Sequence, residues 1–271
     1  MDRYAVFGHP VKHSKSPQIH AAFASQTGQA LRYEAIEAPL DGFAGTLRAF
    51  VAAGGRGGNV TVPFKEQAFR LADRCDALAS QAQAVNTLRV EADGRLHGFN
   101  TDGIGLLRDL TDNLRLDLRG RRVLLVGAGG AAAGVLGPLL GAGVGELVIV
   151  NRTAARAQEL AARFGVLGPI EAAPLQAPGK GFDVVLNATA AGLGGRAPAV
   201  PADVFAPHTV AYDLVYGPAA APFLELARGA GAAAGHDGLG MLVEQAAEAF
   251  WLWRGVRPAT AAVIAALRGA G

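Results

Sequence analysis

Short apolar runs alternate with segments of helical periodicity along most of the chain, and this alternation predicts an α/β protein. The strands predicted in the N-terminal part are 4–7, 32–35, 58–62, 85–91 and 95–99, with the last two paired as a hairpin around Asp93-Gly94. The helices predicted there are 43–53, 64–72, 75–82 and one that opens at Ser16-Pro17. In that opening helix Ser16 is the expected N-cap, and Pro17 stands at the first helical position, where a missing N–H costs nothing.

A second unit begins with a continuous apolar strand that runs into a glycine-rich turn and a helix at 131–140. A strand, a helix and a strand within about thirty residues form a βαβ unit. The strands predicted in this unit are 123–126, 147–150, 184–187 and 210–213, and together they indicate a parallel, doubly wound sheet. Helices predicted at 239–255 and 259–267 close the chain.

Composition narrows the functional classes. The 271 residues are 51% hydrophobic, which suffices for one large domain or two of ordinary size. The net charge is +2 without a block of Lys or Arg, so we expect no nucleic-acid partner. Cys75 is the only cysteine, which excludes an internal disulfide. Because the N-terminus lacks a signal-peptide core and no apolar run is long enough to span a bilayer, we expect a soluble cytoplasmic protein without a membrane partner.

The glycine-rich turn has the spacing of a dinucleotide site. It follows the strand VLLV and reads GAGGAA, that is Gly127, Ala128, Gly129, Gly130, Ala131 and Ala132. In the pattern G-x-G-x-x-A the first glycine allows a tight turn, the second lets the backbone approach a pyrophosphate, and the last position needs a small residue. A helix that starts there offers free N–H groups and a positive dipole end to phosphates. The turn therefore predicts nucleotide binding.

The end of the next strand predicts which nucleotide is bound. An NAD site usually has an acid there, which binds the ribose 2′-hydroxyl. This chain instead has Asn151, Arg152, Thr153 and Arg156, with no carboxylate. Guanidinium groups form charge-assisted, bidentate hydrogen bonds with a phosphate. Cations at a helix start also oppose the preference of the dipole for acids, so a function is favoured over a merely basic turn. We predict NADP(H).

Several polar residues stand in apolar or strand-end surroundings. They are Ser14, Ser16, Lys65, Asn86, Asp102 and Gln245. Each has a simple alternative, because Ser16 and Asp102 can cap helices, Asn86 a turn, and Gln245 can bond to buried backbone. Lys65, in GNVTVPFKE, is by itself more typical of a solvated loop lysine. Taken singly, these residues do not predict a site.

Together the motifs resemble the shikimate dehydrogenase family over nearly the whole chain. The matching segments are FGHPVKHSKSPQIH, GNVTVPFKE, AVNTL, GFNTDGIGLL, VGAGGAA, VNRTAAR, LNATAAG, YDLVYGP and DGLGMLVEQAAEAFWLWRG. The resemblance implies a discontinuous α/β substrate domain, 1–101 with 239–271, and an inserted Rossmann-type NADP-binding domain, 102–238, with the active site in the cleft. It implies the reversible NADPH-dependent reduction of 3-dehydroshikimate to shikimate. The alanines of NATAAG replace a serine that the family often has, which puts one contact in doubt.

The resemblance also implies roles for single residues. Ser14 and Ser16 would bind the substrate carboxylate, and Lys65 and Asp102 would be the catalytic pair. The groups that would bind the ring hydroxyls or approach the substrate are those of Thr61, Asn86, Asp102, Gln245 and Tyr216. The cofactor residues would be Gly127 to Ala131 for the pyrophosphate, Asn151 to Arg156 for the 2′-phosphate, and Leu214 and Gly238 beside the nicotinamide. No metal site is expected. Whether Lys65 transfers the proton itself stays open.

Two other functions remain at this stage. A quinate/shikimate dehydrogenase, using NAD in some cases, is the nearest one, although both serines and the arginines argue against it. A nucleotide-binding redox sensor that has lost catalysis is the second, and the presence of both Lys65 and Asp102 argues against that. The family includes monomers and homodimers, and no exposed stripe in this sequence decides between them.

Overall fold

The computed structural model describes residues 1–269 and divides the chain into two compact units. Of the described residues, the first unit comprises 1–105 and 242–269, and the second comprises 106–241. The boundaries predicted from the sequence are 101/102 and 238/239. Residues 270 and 271, which end the predicted range 239–271, lie outside the described residues.

The described part of the first unit contains a mixed six-stranded sheet. Its strands are β1 (Asp2–Gly8), β2 (Leu31–Glu37), β3 (Gly55–Val60), β4 (Arg74–Cys75), β5 (Thr87–Val90) and β6 (Leu96–Phe99). Their order across the sheet is β2-β1-β3-β5-β6-β4. Strand β1 pairs in parallel with β2 and β3, whereas β5 pairs antiparallel with β3 and β6. The predicted hairpin at Asp93-Gly94 is therefore present, and Gly94 has a φ of 83°.

The helices of the first unit pack phenylalanines against this sheet. They are α1 (Ser16–Thr27), α2 (Phe43–Ala52), α3 (Lys65–Leu71) and α4 (Ala77–Ala82). The helix α5 (Asp102–Arg108) begins in the first unit and ends in the second, and the chain re-enters the first unit within a later helix. Phe7 of β1 meets Phe43 and Phe50 edge to face, and Phe43 stacks on Phe64 at 4.8 Å between ring centroids. Each such buried ring contributes about 1.5–3 kcal/mol of hydrophobic free energy.

The described part of the second unit contains a six-stranded sheet whose pairs are all parallel. Its strands are β7 (Arg122–Val126), β8 (Glu146–Val150), β9 (Ile170–Ala173), β10 (Val184–Asn187), β11 (Val210–Asp213) and β12 (Ala234–His236). The order β12-β11-β10-β7-β8-β9 is that of a doubly wound fold, with its topological switch point between β7 and β10. Strands buried on both faces explain the continuous apolar runs VLLV and VVLN.

The helices of the second unit are α6 (Gly130–Gly141), α7 (Ala154–Phe164) and α8 (Ala221–Gly229). The last two helices are α9 (Leu239–Arg254), which lies largely in the first unit, and α10 (Ala261–Gly269), which lies wholly in it. No helix of residues 1–269 combines the length and apolar character that a membrane crossing requires. The predicted α/β class, with a Rossmann-type doubly wound sheet, is confirmed.

Several predicted bounds differ from the structure, such as the strand predicted at 85–91, which is Thr87–Val90, and three local predictions are wrong for a physical reason. The strand predicted at 58–62 ends at Val60, because Thr61 and Val62 enter the turn before Pro63. The helix predicted from 75 begins at Ala77, since Asp76 caps it by accepting a hydrogen bond from the Ala79 N–H at 2.7 Å. Ser16 is not an N-cap: helix α1 already includes it, and Lys15 precedes it without a side-chain cap bond.

Candidate active site and cofactor site

Lys65 and Asp102 form a largely buried ion pair. Lys65 is the first residue of α3, and Asp102 is the first residue of α5. The Lys65 Nζ lies 2.5 Å from the Asp102 Oδ2, and the two side chains are only 14% and 7% exposed. A cation at the start of a helix meets the positive end of the helix dipole, and the Asp102 carboxylate offsets that unfavourable placement. The opening lysine of this helix is therefore not a solvated surface group.

Asn86 joins the Asp102 carboxylate to Gln245. The Asn86 Nδ2 donates to the Asp102 Oδ1 at 2.8 Å and to the Gln245 Oε1 at 3.3 Å. Gln245 is held in turn, because its Nε2 donates to the Leu242 carbonyl at 2.8 Å. Four of the predicted substrate-site residues thus meet within one unit, although they are up to 180 residues apart in the chain, from Lys65 to Gln245 (245 − 65 = 180). Each is supplied by a strand end or a helix.

Ser14 and Ser16 stand together at the start of α1. The Ser14 Oγ accepts a hydrogen bond from the Ser16 N–H at 3.2 Å, and the Ser14 N–H donates to the Val11 carbonyl at 3.0 Å. Since Ser16 does not cap the helix, its hydroxyl is not used for that purpose. Two adjacent hydroxyls at a helix start form a suitable site for a carboxylate. No hydrogen bond in the described part of the chain joins either serine directly to Lys65 or Asp102.

Thr61 is fixed through its backbone. Its N–H donates to the Phe7 carbonyl at 2.8 Å, and its own carbonyl accepts from the Phe64 N–H at 3.0 Å. The methyl group fills the space above Gly8, where an added Cβ would lie 2.5 Å from the Thr61 Cγ2. No side-chain hydrogen bond of Thr61 occurs among residues 1–269, so the hydroxyl is left for a ligand.

Three further buried polar residues belong to this cluster, and the sequence analysis did not assign them a role. They are Asn59, Thr87 and Thr101. Thr101 donates its backbone N–H to the Asn86 Oδ1 at 2.8 Å. The three residues lie in the segments GNVTVPFKE, AVNTL and GFNTDGIG. Each segment places polar residues beside an apolar strand, and this was the signal in the sequence that could have identified them. Polarity alone does not show that a side chain is buried.

The glycine-rich turn has room for a phosphate. Gly127, directly after β7, has a φ of 118°, and an added Cβ would lie 3.1 Å from the Ala188 carbonyl carbon and oxygen. An added Cβ at Gly129 would meet nothing within 4 Å, so the backbone faces open space there. Helix α6 starts at Gly130 with neither a side-chain cap nor an acid in its first turn. Its first N–H groups are therefore available to an anion, and the turn fits a pyrophosphate.

The segment after β8 carries the two predicted arginines. Arg152, Thr153 and Arg156 are exposed, and Asn151 is held because its Nδ2 donates to the Thr153 carbonyl at 3.0 Å. Neither guanidinium pairs with a carboxylate within residues 1–269, and α7 has no acid in its first turn. Two unpaired cations and a hydroxyl at the end of this strand fit a 2′-phosphate.

The predicted nicotinamide-side residues, Leu214 and Gly238, lie just after β11 and β12. Gly238 packs so tightly that an added Cβ would lie 2.3 Å from the Leu214 carbonyl oxygen. Leu214 donates its N–H to the Asn187 carbonyl at 2.9 Å. Asn187 and Asp213 face each other in register, and the Asn187 Nδ2 donates to the Asp213 Oδ2 at 2.8 Å. Burial raises the pKa of Asp213 to about 6.

Tyr216 lies half-buried on the loop after β11. It belongs to the second unit, as do the predicted cofactor residues, whereas the remaining predicted substrate residues belong to the first unit. No group of three or more His, Cys, Asp or Glu side chains among residues 1–269 could hold a metal ion.

Comparisons with known proteins agree with this geometry. Three families match the chain: "Shikimate dehydrogenase substrate binding domain" at residues 6–88, "Shikimate / quinate 5-dehydrogenase" at 109–193, and "Shikimate 5'-dehydrogenase C-terminal domain" at 238–268. The shikimate dehydrogenase (NADP(+)) of Alkalilimnicola ehrlichii is 58% identical over 270 residues, which cover 98% of both chains.

Solved structures give the same result. The crystal structure of a Thermus thermophilus shikimate 5-dehydrogenase in complex with NADP(H) and shikimate has a TM-score of 0.88 and 39% identity, with all of both chains covered. The crystal structure of an Ael1 enzyme from Pseudomonas putida has a TM-score of 0.91 and 51% identity, with 98% of both chains covered. On the family matches, the identity and the coverage, the chain belongs to the shikimate dehydrogenase family.

Proposed function

We propose that this protein catalyses the reversible NADPH-dependent reduction of 3-dehydroshikimate to shikimate, a step of aromatic amino acid biosynthesis. The observation that carries the proposal is the buried Lys65–Asp102 pair, to which Asn86 is hydrogen-bonded and to which Gln245 is joined through Asn86. This cluster supplies a cation and several hydrogen-bonding groups at one place, as the reduction of a polyhydroxylated ketone requires. The substrate named for the Thermus thermophilus relative is shikimate, and its cofactor is NADP(H).

The second unit would hold the cofactor. The turn from Gly127 to Ala131 would bind the pyrophosphate, and the segment from Asn151 to Arg156 would bind the 2′-phosphate. Leu214 and Gly238 would lie beside the nicotinamide. Bound NADPH supplies the hydride that the carbonyl carbon accepts. The unpaired guanidiniums of Arg152 and Arg156 favour NADPH over NADH.

The first unit would bind most of the substrate. The Ser14 and Ser16 hydroxyls would donate to the substrate carboxylate. Thr61, Asn86 and Gln245 would bind the ring hydroxyls, with Tyr216 of the second unit approaching the substrate. Asn86 and Gln245 are already oriented by hydrogen bonds to the protein, so little side-chain entropy is lost when the substrate binds.

Lys65 would act at the reacting oxygen. Negative charge develops on the carbonyl oxygen during reduction, and the Lys65 ammonium stabilises this charge and donates a proton to the oxygen. Asp102 holds the Nζ in place through its hydrogen bond. In the oxidation of shikimate, the neutral amine takes the hydroxyl proton back. Lys65 and Asp102 are therefore the catalytic pair of the proposal.

The test is a spectrophotometric assay with four arms. The purified protein is mixed with shikimate or quinate, each with NADP⁺ or NAD⁺, and reduced-nicotinamide absorbance is followed. We expect a rise confined to shikimate with NADP⁺. A comparable rise with quinate or NAD⁺ would assign the broader quinate/shikimate activity. No rise in any arm, from folded protein that binds NADPH, would contradict the enzymatic proposal and favour a nucleotide-binding sensor.

Two further properties are part of the proposal. A biosynthetic reduction that draws on NADPH belongs in the cytoplasm, and cell fractionation tests that location. The family includes monomers and homodimers, and native mass spectrometry of the full chain distinguishes the two states. We expect no binding of nucleic acid, since the net charge is only +2.

A further inference from the structure

A series of buried hydrogen bonds leads away from Asp102 into the first unit. The Asn86 Oδ1 accepts a hydrogen bond from the Thr87 Oγ1 at 3.0 Å. The Thr87 Oγ1 accepts one from the Asn59 Nδ2 at 3.0 Å. The Asn59 Oδ1 accepts one from the Tyr33 hydroxyl at 2.7 Å. Three side chains that would not touch the substrate are thus joined to the residue that bridges to Asp102. They form the Tyr33–Asn59–Thr87 relay.

Backbone groups determine the direction of every bond in this relay. The Thr101 N–H is a donor, so the atom of Asn86 that faces it at 2.8 Å must be the amide oxygen. The Asn86 carbonyl is an acceptor, so the atom of Asn59 that faces it at 3.3 Å must be the amide nitrogen. Neither amide can rotate by 180° without placing two donors or two acceptors together.

All donors of the relay therefore point toward the ion pair. The Tyr33 hydroxyl donates to Asn59, Asn59 to Thr87, Thr87 to Asn86, and Asn86 to Asp102. Hydrogen bonds aligned in one direction polarise one another, and in a buried site each one strengthens the next. The last bond ends on a carboxylate, which makes it charge-assisted.

We propose that Tyr33, Asn59 and Thr87 are positioning residues of the reductase, which hold the Asn86 amide and, through it, the Asp102 carboxylate in the orientation that aims the Lys65 ammonium at the reacting oxygen. This inference rests on the proposed function of the site. The relay does not contact the reacting atoms. Its effect is the alignment of the ion pair, because Asn86 binds one carboxylate oxygen and Lys65 binds the other.

The far end of the relay reaches the serine pair. Burial raises the pKa of Tyr33 well above its ordinary value, and the nearby Ser16 hydroxyl lowers it in part. Tyr33 therefore keeps its proton at neutral pH and acts as a donor, and the influence of Ser16 on its pKa shows that the serine lies near the phenol. His20 stacks on the Tyr33 ring at 4.2 Å between centroids and keeps it in place. One tyrosine thus links the proposed carboxylate-binding end of the site to the reducing end.

Two nearly isosteric substitutions remove the relay hydroxyls one at a time. Tyr33→Phe keeps the stacked ring, and Thr87→Val keeps the shape of the side chain. We expect Thr87→Val to lower kcat by about tenfold, because the Asn86 amide then has one fixing partner fewer. We expect Tyr33→Phe to lower kcat/KM for shikimate by roughly five- to tenfold, with part of the loss in KM. The KM for NADP⁺ should change by less than about twofold in both variants.

Rescue and non-additivity separate a positioning role from a structural one. Thr87→Ser restores the hydroxyl, so kcat should return to within about twofold of the original. The double variant Y33F/T87V should lose about as much as the more damaged single variant, because both changes break one relay. Matched controls are Tyr4→Phe, whose ring stacks on Trp253, and Thr46→Val, whose hydroxyl donates to the Gly42 carbonyl at 3.1 Å. Neither control should alter kcat.

Thermal melting and NADPH binding show that each variant is folded. Variants that melt at a lower temperature but keep the original kcat and KM would overturn the relay. Equal losses of kcat in Thr87→Val and Thr87→Ser would contradict it as well. Multiplicative losses in the double variant would also overturn it. These results require an active wild-type protein. A wild-type protein that does not oxidise shikimate overturns the proposed function and the relay together, so the two failures are distinguishable.

Discussion

At the scale of single residues, burial decides which polar groups carry chemistry. Lys65 and Asp102 are 14% and 7% exposed, whereas Arg152 and Arg156 are exposed and unpaired among the described residues. A buried pair is held in one geometry, which suits proton transfer to a small ketone. Exposed guanidiniums suit an anion that arrives from solvent and brings its own charge.

Lys65→Ala should lower kcat by roughly 10²- to 10⁴-fold, because a general acid and the charge that stabilises the transition state are both lost. The affinity for NADPH should stay nearly unchanged, since the predicted cofactor residues belong to the other unit. Steady-state kinetics and NADPH titration measure the two effects. Lys180→Ala is the control, because Lys180 pairs on the surface with Asp203. A Lys65 variant with near-normal kcat would remove the lysine from the mechanism.

Arg152→Ala should weaken NADPH binding by roughly 10- to 100-fold, since a charge-assisted hydrogen bond to the 2′-phosphate is lost. Binding of NADH, which lacks that phosphate, should change little. Fluorescence titration with both nucleotides gives the two dissociation constants. Arg163→Ala serves as a control, because Arg163 pairs with Glu159 one helical turn away. Equal losses for the two nucleotides would count against the assignment.

His20 should make the protein sensitive to acid. Its ring is fully buried, neither nitrogen has a hydrogen-bond partner within residues 1–269, and burial lowers its pKa to about 3. The unfolded chain binds a proton there with a pKa of about 6.5, so the unfolded state gains protons first as the pH falls. The free energy of unfolding is therefore undiminished by His20 above about pH 6.5. Below that pH, and down to about pH 3, it falls by about 1.4 kcal/mol per pH unit.

Denaturant unfolding of the original protein and of His20→Phe between pH 4 and 8, roughly the range in which histidine titrates, isolates this contribution. Other groups, such as Asp213 with its raised pKa, titrate equally in both proteins and cancel in the difference. As the pH falls, the unfolding free energy of the original protein should decrease relative to that of the phenylalanine variant. His208→Phe, at an exposed position, is the matched control. Parallel curves would show that His20 is protonated in the folded state.

At the scale of elements, close approaches of the backbone position the loops of the second unit. Gly238 lies against the Leu214 carbonyl, and this contact sets the loop that follows β11. The Gly238 N–H donates to the Val215 carbonyl at 3.0 Å, which fastens the same loop a second time. A side chain at position 238 would have to displace backbone rather than a flexible neighbour.

Gly238→Ala should therefore weaken binding of both NADPH and NADH and lower the melting temperature. The reason is steric, so the effect should not distinguish the two nucleotides, unlike the loss of Arg152. Gly229→Ala is the matched control, because an added Cβ there would meet nothing within 4 Å. Calorimetric titration and thermal melting give both quantities. Unchanged nucleotide affinity in the Gly238 variant would exclude this loop from the cofactor site.

The elements also show where sequence patterns are informative. The strands at 184–187 and 210–213 were predicted to the residue, because a central strand of a parallel sheet is one continuous apolar run. Strand β9 has the sequence IEAA and β12 has AGH, and neither was predicted, since edge strands this short carry no such run. Helix α7 was predicted only as a helix start near Arg152 to Arg156, without a range, although its apolar residues follow a helical period.

At the scale of the whole molecule, the division into two units could be predicted only from the resemblance. Composition allowed one domain or two, and glycines near the second boundary, at 229–240, are not by themselves distinguishable from those of ordinary turns. Both crossings lie within helices, α5 and α9, so local patterns are continuous across them. The candidate site, too, could be predicted only in part. The resemblance identified Lys65 and Asp102, whereas Thr87 and Asn59 were found only through their burial and hydrogen-bond partners.

The discontinuity of the first unit has a consequence for biosynthesis of the chain. Phe250 and Trp253 of α9 pack on His20, and Trp253 also stacks on Tyr4 at 4.6 Å, so the last helices complete a core that begins at the N-terminus. The inserted unit is contiguous, so its synthesis is finished before the first unit is complete. A nascent chain therefore holds an unfinished apolar surface on the sheet of the first unit until α9 has been synthesised, and exposed apolar surface of this kind is what chaperones protect from aggregation.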